Sequence, residues 1–343
     1  MRVHLDRRAL LGAAGWLCAM SAAKAADATP IFGAGSSFID PVMRRWLTLV
    51  PDSLAVQASY DPVGSGNGRN KILAGDVDFG ASDEPMVADK LANGGLVQFP
   101  LVFGGIVCAV NLPGLADNRL RLTGALLGAI YAGAIKKWND PKIVAVNPGV
   151  ALPDVDIHPV SQGTPNGPMP GTTFNFTQYL LATNRDWRDK HGPAITKRWA
   201  VGSMVASNAF MVETLKVLPG AIGYMSFGEA AKARVTTVAM MNKAGQTVEA
   251  TAAALAAATE QADWAKSSDL VVDLLDLPGE RSWPIVIATY ALLPREPKKN
   301  TEALRAFFRF IIDEPTAATQ NFAAPMPAAV RIAVRAMLGI TTG

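Results

Sequence analysis

The chain has 343 residues, of which 50% are hydrophobic and 18% charged. A chain this apolar can bury enough surface to fold, which excludes an intrinsically disordered protein, and its length suggests about two domains. The formal charge of +3 comes from the N-terminus, where Arg2, Arg7, Arg8 and Lys24 oppose Asp6 alone. The rest of the chain is neutral, which argues against non-specific binding to nucleic acid or to an anionic membrane.

Residues 1–25 have the three parts of an export signal. A basic start is followed by a mostly apolar run over residues 9–23, and Ala23-Lys24-Ala25 supplies the small-x-small cleavage pattern. The run is too short for a comfortable membrane span. Arg7-Arg8 also fits a twin-arginine signal, and an ordinary secretory signal with two chance arginines remains the other interpretation. Both predict a soluble mature protein in the periplasm that begins near residue 26.

The mature chain alternates short apolar runs with helical patterns, which is typical of an α/β protein. Asp40-Pro41 predicts a helix start, with Asp40 as the N-cap. Residues 77–81 predict a short buried strand, and Asp83-Glu84-Pro85 a further helix start. Near the C-terminus, apolar residues at helical spacing predict a helix over residues 304–312 that Pro315 ends, and the alanine-rich segment 252–258 also predicts a helix.

Two apolar runs, residues 99–110 and 283–293, are longer than the others. Each could be a strand that passes between two lobes, with glycine or proline allowing a bend. We therefore expect discontinuous domains after the signal at 1–25: lobe I from residues 26–103 plus 285–343, and lobe II from residues 104–284.

The residues that enzymes use are scarce. The mature chain has one cysteine, Cys108, inside an apolar run, so we predict a buried core residue and no intramolecular disulfide. His158 and His191 lack paired ligand spacing, which disfavours a zinc site and a serine–histidine triad. No turn fits a nucleotide-binding loop or a nucleophile elbow. We therefore expect no metal, no cofactor and no catalytic activity.

Three turns rich in glycine and hydroxyl residues stand immediately before helical patterns, at residues 33–38, 64–68 and 171–174. Glycine lets backbone N–H groups approach a ligand, and the N-terminus of a helix carries a partial positive charge. One such turn is weak evidence because most are only loops. Three in one chain favour a site for an oxyanion or another polar ligand.

These motifs resemble those of the phosphate-specific periplasmic binding proteins of bacterial ABC importers. The resemblance covers nearly the whole mature chain in order, and its most specific segments are residues 77–83 (VDFGASD) and 218–224 (LPGAIGY). It implies a type II periplasmic binding protein fold, in which two α/β lobes joined by two crossing strands close on a ligand. It also implies binding without turnover and delivery to an ABC-type membrane permease. We expect the protein to be a monomer.

Site residues follow from the resemblance by position. Ser37 and Phe38 would donate hydrogen bonds from one helix end and Ser65 from another, while Gly171 and Thr172 would donate from the second lobe. Asp83 would accept the proton of a protonated phosphate, which would discriminate against fully ionised sulfate.

The sequence departs from the family in the second-lobe loop, where the family has an arginine that binds phosphate. Residues 161–172 are about four residues longer here, so that Gln162 or Asn166 replaces the arginine and Thr164 or Pro168 replaces an aspartate. Arg69, next to the second glycine turn, could supply the missing charge, although an exposed helix arginine is the plainer interpretation.

Two binding hypotheses therefore remain open. In the first, the protein captures phosphate or a related oxyanion with Arg69 or backbone donors. In the second, the same scaffold takes a less anionic, partly apolar ligand, with the cleft lined in part by Met169, Pro170 and Met204. A distant third hypothesis is an extracytoplasmic hydrolase in which Asp83 activates a nearby serine.

Overall fold

The computed structural model describes residues 28–165, 167–191, 199–264, 267, 269–296 and 300–340. The predicted export signal and Asn166 lie outside these ranges. Within them, no helix combines the length and the apolar character needed to cross a membrane.

Twelve strands build the sheets: β1 (Thr29–Gly35), β2 (Val56–Asp61), β3 (Phe79–Ser82), β4 (Leu96–Val110), β5 (Arg121–Leu122), β6 (His158–Gln162), β7 (Ser203–Val205), β8 (Ala221–Ser226), β9 (Thr236–Thr237), β10 (Ala239–Met241), β11 (Thr247–Val248) and β12 (Val286–Pro294). The main sheet has the order β2-β1-β3-β12-β4-β8-β6-β7, with β9 paired to β4, and β11-β10-β5 form a small separate sheet.

Thirteen α-helices accompany the strands in the described part of the chain: α1 (Asp40–Leu49), α2 (Ser65–Ala74), α3 (Ala88–Asn93), α4 (Gly124–Tyr131), α5 (Pro141–Val146), α6 (Gly171–Thr183), α7 (Arg185–His191), α8 (Asn208–Val217), α9 (Phe227–Ala233), α10 (Ala252–Glu260), α11 (Thr301–Asp313), α12 (Thr316–Gln320) and α13 (Ala328–Met337). The helices predicted near the C-terminus and in the alanine-rich segment are α11 and α10, so both predictions are confirmed.

Strand β4 connects the two halves of the main sheet. Its first part, through Gly105, pairs antiparallel with β12, and its last part, from Ile106 to Val110, pairs antiparallel with β8. The strand is buried along nearly its whole length, and helices α3, α9, α10 and α13 contact it. The curled sheet and its helices form the predicted two-lobed periplasmic binding protein fold. The precise lobe boundaries stay a prediction.

Parallel strands in both halves end at the cleft between the lobes. In the first half β1 lies between β2 and β3 and is parallel to both, and in the second half β6 lies parallel between β8 and β7. Loops that follow the carboxyl ends of neighbouring parallel strands come together at one edge of a sheet. The two lobes therefore each present such an edge to the same cleft.

Two local predictions were wrong. Asp40 is the first residue of α1 and not its cap, since Ile39 occupies the cap position and the Asp40 carboxylate pairs with Arg44. Asp83-Glu84-Pro85 does not start a helix, because α3 begins only at Ala88. The polar groups after β3 are used elsewhere: Ser82 Oγ accepts a hydrogen bond from Glu84 N–H, and the Glu84 carboxylate pairs with Arg69.

Cys108 is fully buried in β4, as predicted for a core residue, and burial raises the pKa of its thiol well above the ordinary value. His158 is exposed at the start of β6, and the His191 ring lies tilted against the Trp187 ring in α7, with the centroids 4.3 Å apart. No group of three or more potential metal ligands occurs among the residues described above.

Candidate ligand-binding site

The centre of the site is the buried carboxylate of Asp83, which directly follows β3 and is 3% exposed. Ser36 Oγ donates to both carboxylate oxygens, at 2.6 and 2.7 Å. Thr289 Oγ1 donates to Oδ1 at 2.7 Å, and Ser65 Oγ lies 3.0 Å from Oδ2. Asp83 is therefore held by hydroxyls from three separate segments of the chain.

Two of these hydroxyl residues were not identified from the sequence. Ser36 lies in the first glycine-rich turn, in which the resemblance points to its neighbours Ser37 and Phe38, and its carbonyl accepts a hydrogen bond from Tyr60 Oη at 2.8 Å. Thr289 lies in the middle of the apolar strand β12, 206 residues from Asp83. The sequence feature that could have identified Thr289 is a hydroxyl residue inside an apolar strand. Such a residue is buried, and a buried hydroxyl needs a hydrogen-bond partner.

Burial raises the pKa of the Asp83 carboxyl above its usual value of 3.8, while hydrogen bonds from Ser36, Thr289 and Ser65 and the charge of Arg69 oppose the increase. A raised pKa means that the folded chain binds this proton more tightly than the unfolded chain does. The resulting stabilisation is complete below 3.8 and is lost as the pH rises through the folded-state value.

We therefore expect the free energy of unfolding to fall, as the pH rises above 3.8, more steeply in the wild type than in Asp83→Asn. Asparagine has nearly the same shape but does not titrate, so the difference between the two curves isolates this one carboxyl. Urea titrations at a series of pH values measure it. Parallel curves for the two proteins would contradict the expectation.

The two lobes touch across the cleft at Asp83. Gly171, the first residue of α6 in the second lobe, packs so closely that a Cβ atom added to it would lie 2.5 Å from Ser65 Oγ and 2.6 Å from Asp83 Oδ2. Asn175, one turn later, donates its amide N–H to the carbonyl of Asp83 at 2.7 Å. The described conformation is therefore a closed one.

A cavity of about 200 Å³ lies beside this contact, with residues of both lobes in its wall. Ser37, Gly64 and Gly66 line it from the first lobe, and Gln162, Thr164 and Ser207 are among the residues that line it from the second. None of the described residues in its wall carries a charge. Met169 and Pro170 also belong to the wall, as the less anionic hypothesis expected, whereas Met204 on β7 does not.

The remaining predicted residues lie near the cavity with different roles. The Phe38 N–H donates to Ser36 Oγ at 3.0 Å, and its ring packs against Gly104 of β4. Thr172 is buried next to Gly171 in the first turn of α6. Ser37, Gln162 and Thr164 share the cavity wall. The direct contact of each with a ligand stays a prediction.

Arg69 on α2 has partners within its own lobe. Its guanidinium lies 2.6 Å from the Glu84 carboxylate and donates to Ser82 Oγ at 3.1 Å. It is not among the residues of the cavity wall. Its charge is therefore offset by Glu84 in this conformation, which argues for a structural role and leaves its contact with a ligand to be tested.

A larger cavity, of about 490 Å³, borders Asp83 on the side of β12. Asn175, Arg188 and Tyr290 are part of its wall, together with apolar residues of β12 and of the segment before it. Of the predicted site residues only Asp83 borders this cavity, whereas Ser37, Gln162 and Thr164 line the smaller one.

The chain is similar in sequence to a known domain family and to bacterial phosphate-binding proteins. Residues 20–315 match the model of the PBP superfamily domain. The phosphate-binding protein PstS of Haemophilus influenzae is 36% identical over 308 residues, which cover 89% of this chain and 91% of that protein. The phosphate-binding protein PstS of Xylella fastidiosa strain Temecula1 is 35% identical over 285 residues, covering 82% of this chain and 77% of the relative.

Solved structures share the fold. A high-affinity periplasmic phosphate-binding protein bound with phosphate aligns with a TM-score of 0.71 at 21% identity, covering 90% of this chain and 93% of its own. A putative phosphate ABC transporter substrate-binding protein with bound phosphate from Clostridium perfringens aligns with a TM-score of 0.62 at 18% identity, covering 87% of this chain and all of its own.

Proposed function

We propose a function on the premise that this chain belongs to the PBP superfamily and, within it, to the family of PstS phosphate-binding proteins. The protein captures phosphate between its two lobes. It then delivers the ligand to an ABC-type permease. The protein acts as a monomer in the periplasm after its export signal is removed. It turns over no substrate and needs no cofactor.

The observation that carries this proposal is the meeting of three helix N-termini in the closed cleft. Helix α2 begins at Ser65 and α6 at Gly171, and Ser37 stands just before α1. Backbone N–H groups at the start of a helix are free to bind an anion, and the helix dipole favours negative charge there. Oriented dipoles of this kind suit a small oxyanion.

The less anionic ligand remains the alternative because the wall of the cavity is uncharged and includes Met169 and Pro170. The relatives do not favour it, since those described above are named for phosphate. The hydrolase hypothesis has weaker support: both oxygens of Asp83 already accept hydrogen bonds, which limits the carboxylate as a base. A turnover assay with a chromogenic phosphate ester tests it directly.

Titration of the mature protein with inorganic phosphate tests the proposal. A ligand that binds only the folded state stabilises it, by about 2.7 kcal/mol at one hundred times the dissociation constant. We expect phosphate to raise the unfolding midpoint accordingly and to give a saturable heat in calorimetry. No response to millimolar phosphate, together with a response to an uncharged small molecule, would replace this proposal with the alternative.

The same phosphate titration of the Arg69→Ala variant tests whether Arg69 contacts the ligand. If Glu84 holds the guanidinium away from the ligand, the variant keeps most of the phosphate affinity. Loss of all phosphate response in a folded variant would show that Arg69 moves to the ligand on binding.

A further inference from the structure

The side chain of Gln162 is buried, and its amide oxygen has no partner among the described residues. The residue ends β6, is 3% exposed and contributes to the cavity wall. Its amide oxygen has no hydrogen-bond partner among the residues that the structure describes. A buried polar atom left unpaired destabilises a fold, and in native proteins such an atom calls for a specific explanation.

The backbone around Gln162 is held firmly. Its N–H donates to Tyr224 Oη at 3.0 Å, and its carbonyl accepts from Thr173 Oγ1 at 2.6 Å. The two hydroxyls lie 2.8 Å apart, and the Tyr224 ring stacks on Phe176 with the centroids 4.0 Å apart. The amide of Gln162 is therefore carried by a rigid support, as a preorganised ligand contact requires.

A second amide in the same part of the second lobe is also unpaired. Asn208 is 4% exposed at the start of α8, and neither Oδ1 nor Nδ2 has a partner within the described ranges. It directly follows Ser207, which lines the cavity. Among the described residues, the second lobe thus contributes the neutral amide of Gln162 and no cation to this wall, and a second neutral amide follows directly after the wall residue Ser207.

From this arrangement we infer that Gln162 determines the charge state of the ligand: its amide oxygen accepts a hydrogen bond from a ligand hydroxyl, and the cavity takes the singly charged dihydrogen phosphate in preference to the dianion. This inference rests on the proposed phosphate-binding function. Burying two charges costs much more than burying one when no cation compensates them. Gln162 Oε1 can only accept a hydrogen bond, so it favours binding of a ligand oxygen that carries a proton.

Few groups of the protein could produce the same pH dependence. Tyr224 on β8 contacts Gln162, and burial raises the pKa of its hydroxyl far above neutrality. Strand β7 carries no titratable side chain. The other titratable or charged groups on the adjoining elements and on the facing lobe include His158 on β6, Tyr131 on α4, Tyr179 on α6, the paired Glu213 and Lys216 on α8, Tyr60 and Asp61 on β2, Lys71 on α2, the paired Arg69 and Glu84, the paired Asp40 and Arg44, Arg45, and Asp83.

The test is calorimetric titration of the mature protein with inorganic phosphate between about pH 6 and about pH 8.5. If only the monoanion binds, the apparent affinity follows its fraction of total phosphate and falls about tenfold per pH unit above neutrality. Affinity that is constant or rises over that range overturns the inference while leaving the proposed function intact. Absence of binding at every pH overturns both.

Variants of Gln162 separate its role from that of Asp83, which they leave unchanged. We expect Gln162→Leu to weaken phosphate binding about ten- to a hundredfold, the usual effect of losing a hydrogen bond to a charged group. We expect Gln162→Arg to flatten or reverse the pH dependence, because a cation compensates the dianion. Gln57→Leu, an exposed strand glutamine on β2, serves as the control with wild-type affinity and pH dependence. A Gln162→Arg variant that keeps the wild-type pH dependence overturns the inference.

Discussion

Gly171→Ala is expected to weaken phosphate binding more than a hundredfold by preventing the lobes from closing. The added methyl group would lie 2.5 Å from Ser65 Oγ and 2.6 Å from Asp83 Cβ, whereas an ordinary contact is 3.4–4 Å. Ser65 and Asp83 cannot move aside, since they are buried and bonded to each other. The lobes must separate instead, and the donors of the second lobe then no longer reach a ligand held by the first. A hundredfold loss corresponds to about 2.8 kcal/mol.

Calorimetry with phosphate measures the loss, and small-angle scattering should show a larger radius of gyration for the variant. The free energy of unfolding without ligand should change little, because alanine is favourable in the first turn of a helix. Gly94→Ala is a suitable control, since its added methyl would meet the flexible end of the Leu73 side chain and the carbonyl of Lys90, both far from the interlobe contact and within the first lobe. Wild-type affinity in Gly171→Ala would mean that ligand binding does not use the closed contact.

Asp83→Ala is expected to lower the free energy of unfolding by about 3 kcal/mol or more. The substitution removes an acceptor that Ser36, Ser65 and Thr289 share. All three hydroxyls are at most 1% exposed, so water cannot replace the carboxylate without a rearrangement. Hydrogen bonds to a charged group are stronger than average, and orphaning several buried donors at once is among the costlier single changes.

Urea unfolding measures this loss, and Asp76→Ala, at an exposed position in the same lobe, should change stability by less than about 0.5 kcal/mol. Combining Asp83→Ala with Ser36→Ala should cost less than the sum of the two single changes, because the double variant leaves fewer unpaired donors. Strict additivity would indicate that Ser36 and Asp83 do not interact in the folded protein.

Local patterns were sufficient for many elements of the fold. Helix α11 follows from apolar residues spaced three and four apart, and α10 from a run of alanines, because both depend on interactions within one segment. The apolar run that contains Cys108 is a buried strand, as its composition predicts. The helix start expected at Asp83 failed because a carboxylate can serve equally well as a cap or as a tertiary acceptor, and sequence does not say which.

The chain alone determined the fold class, the neutral mature body and the three glycine turns, since composition and short-range spacing encode burial and backbone freedom. Only the folded arrangement decided that Thr289 shares Asp83 with Ser36 and that Glu84 holds Arg69. It also decided that the amide oxygen of Gln162 lies unpaired, among the described residues, in a wall without charge. Those facts depend on strands from distant segments ending at one cleft. Sheet order and lobe closure determine which polar groups meet there, and no local pattern within a single segment of the sequence encodes either of them.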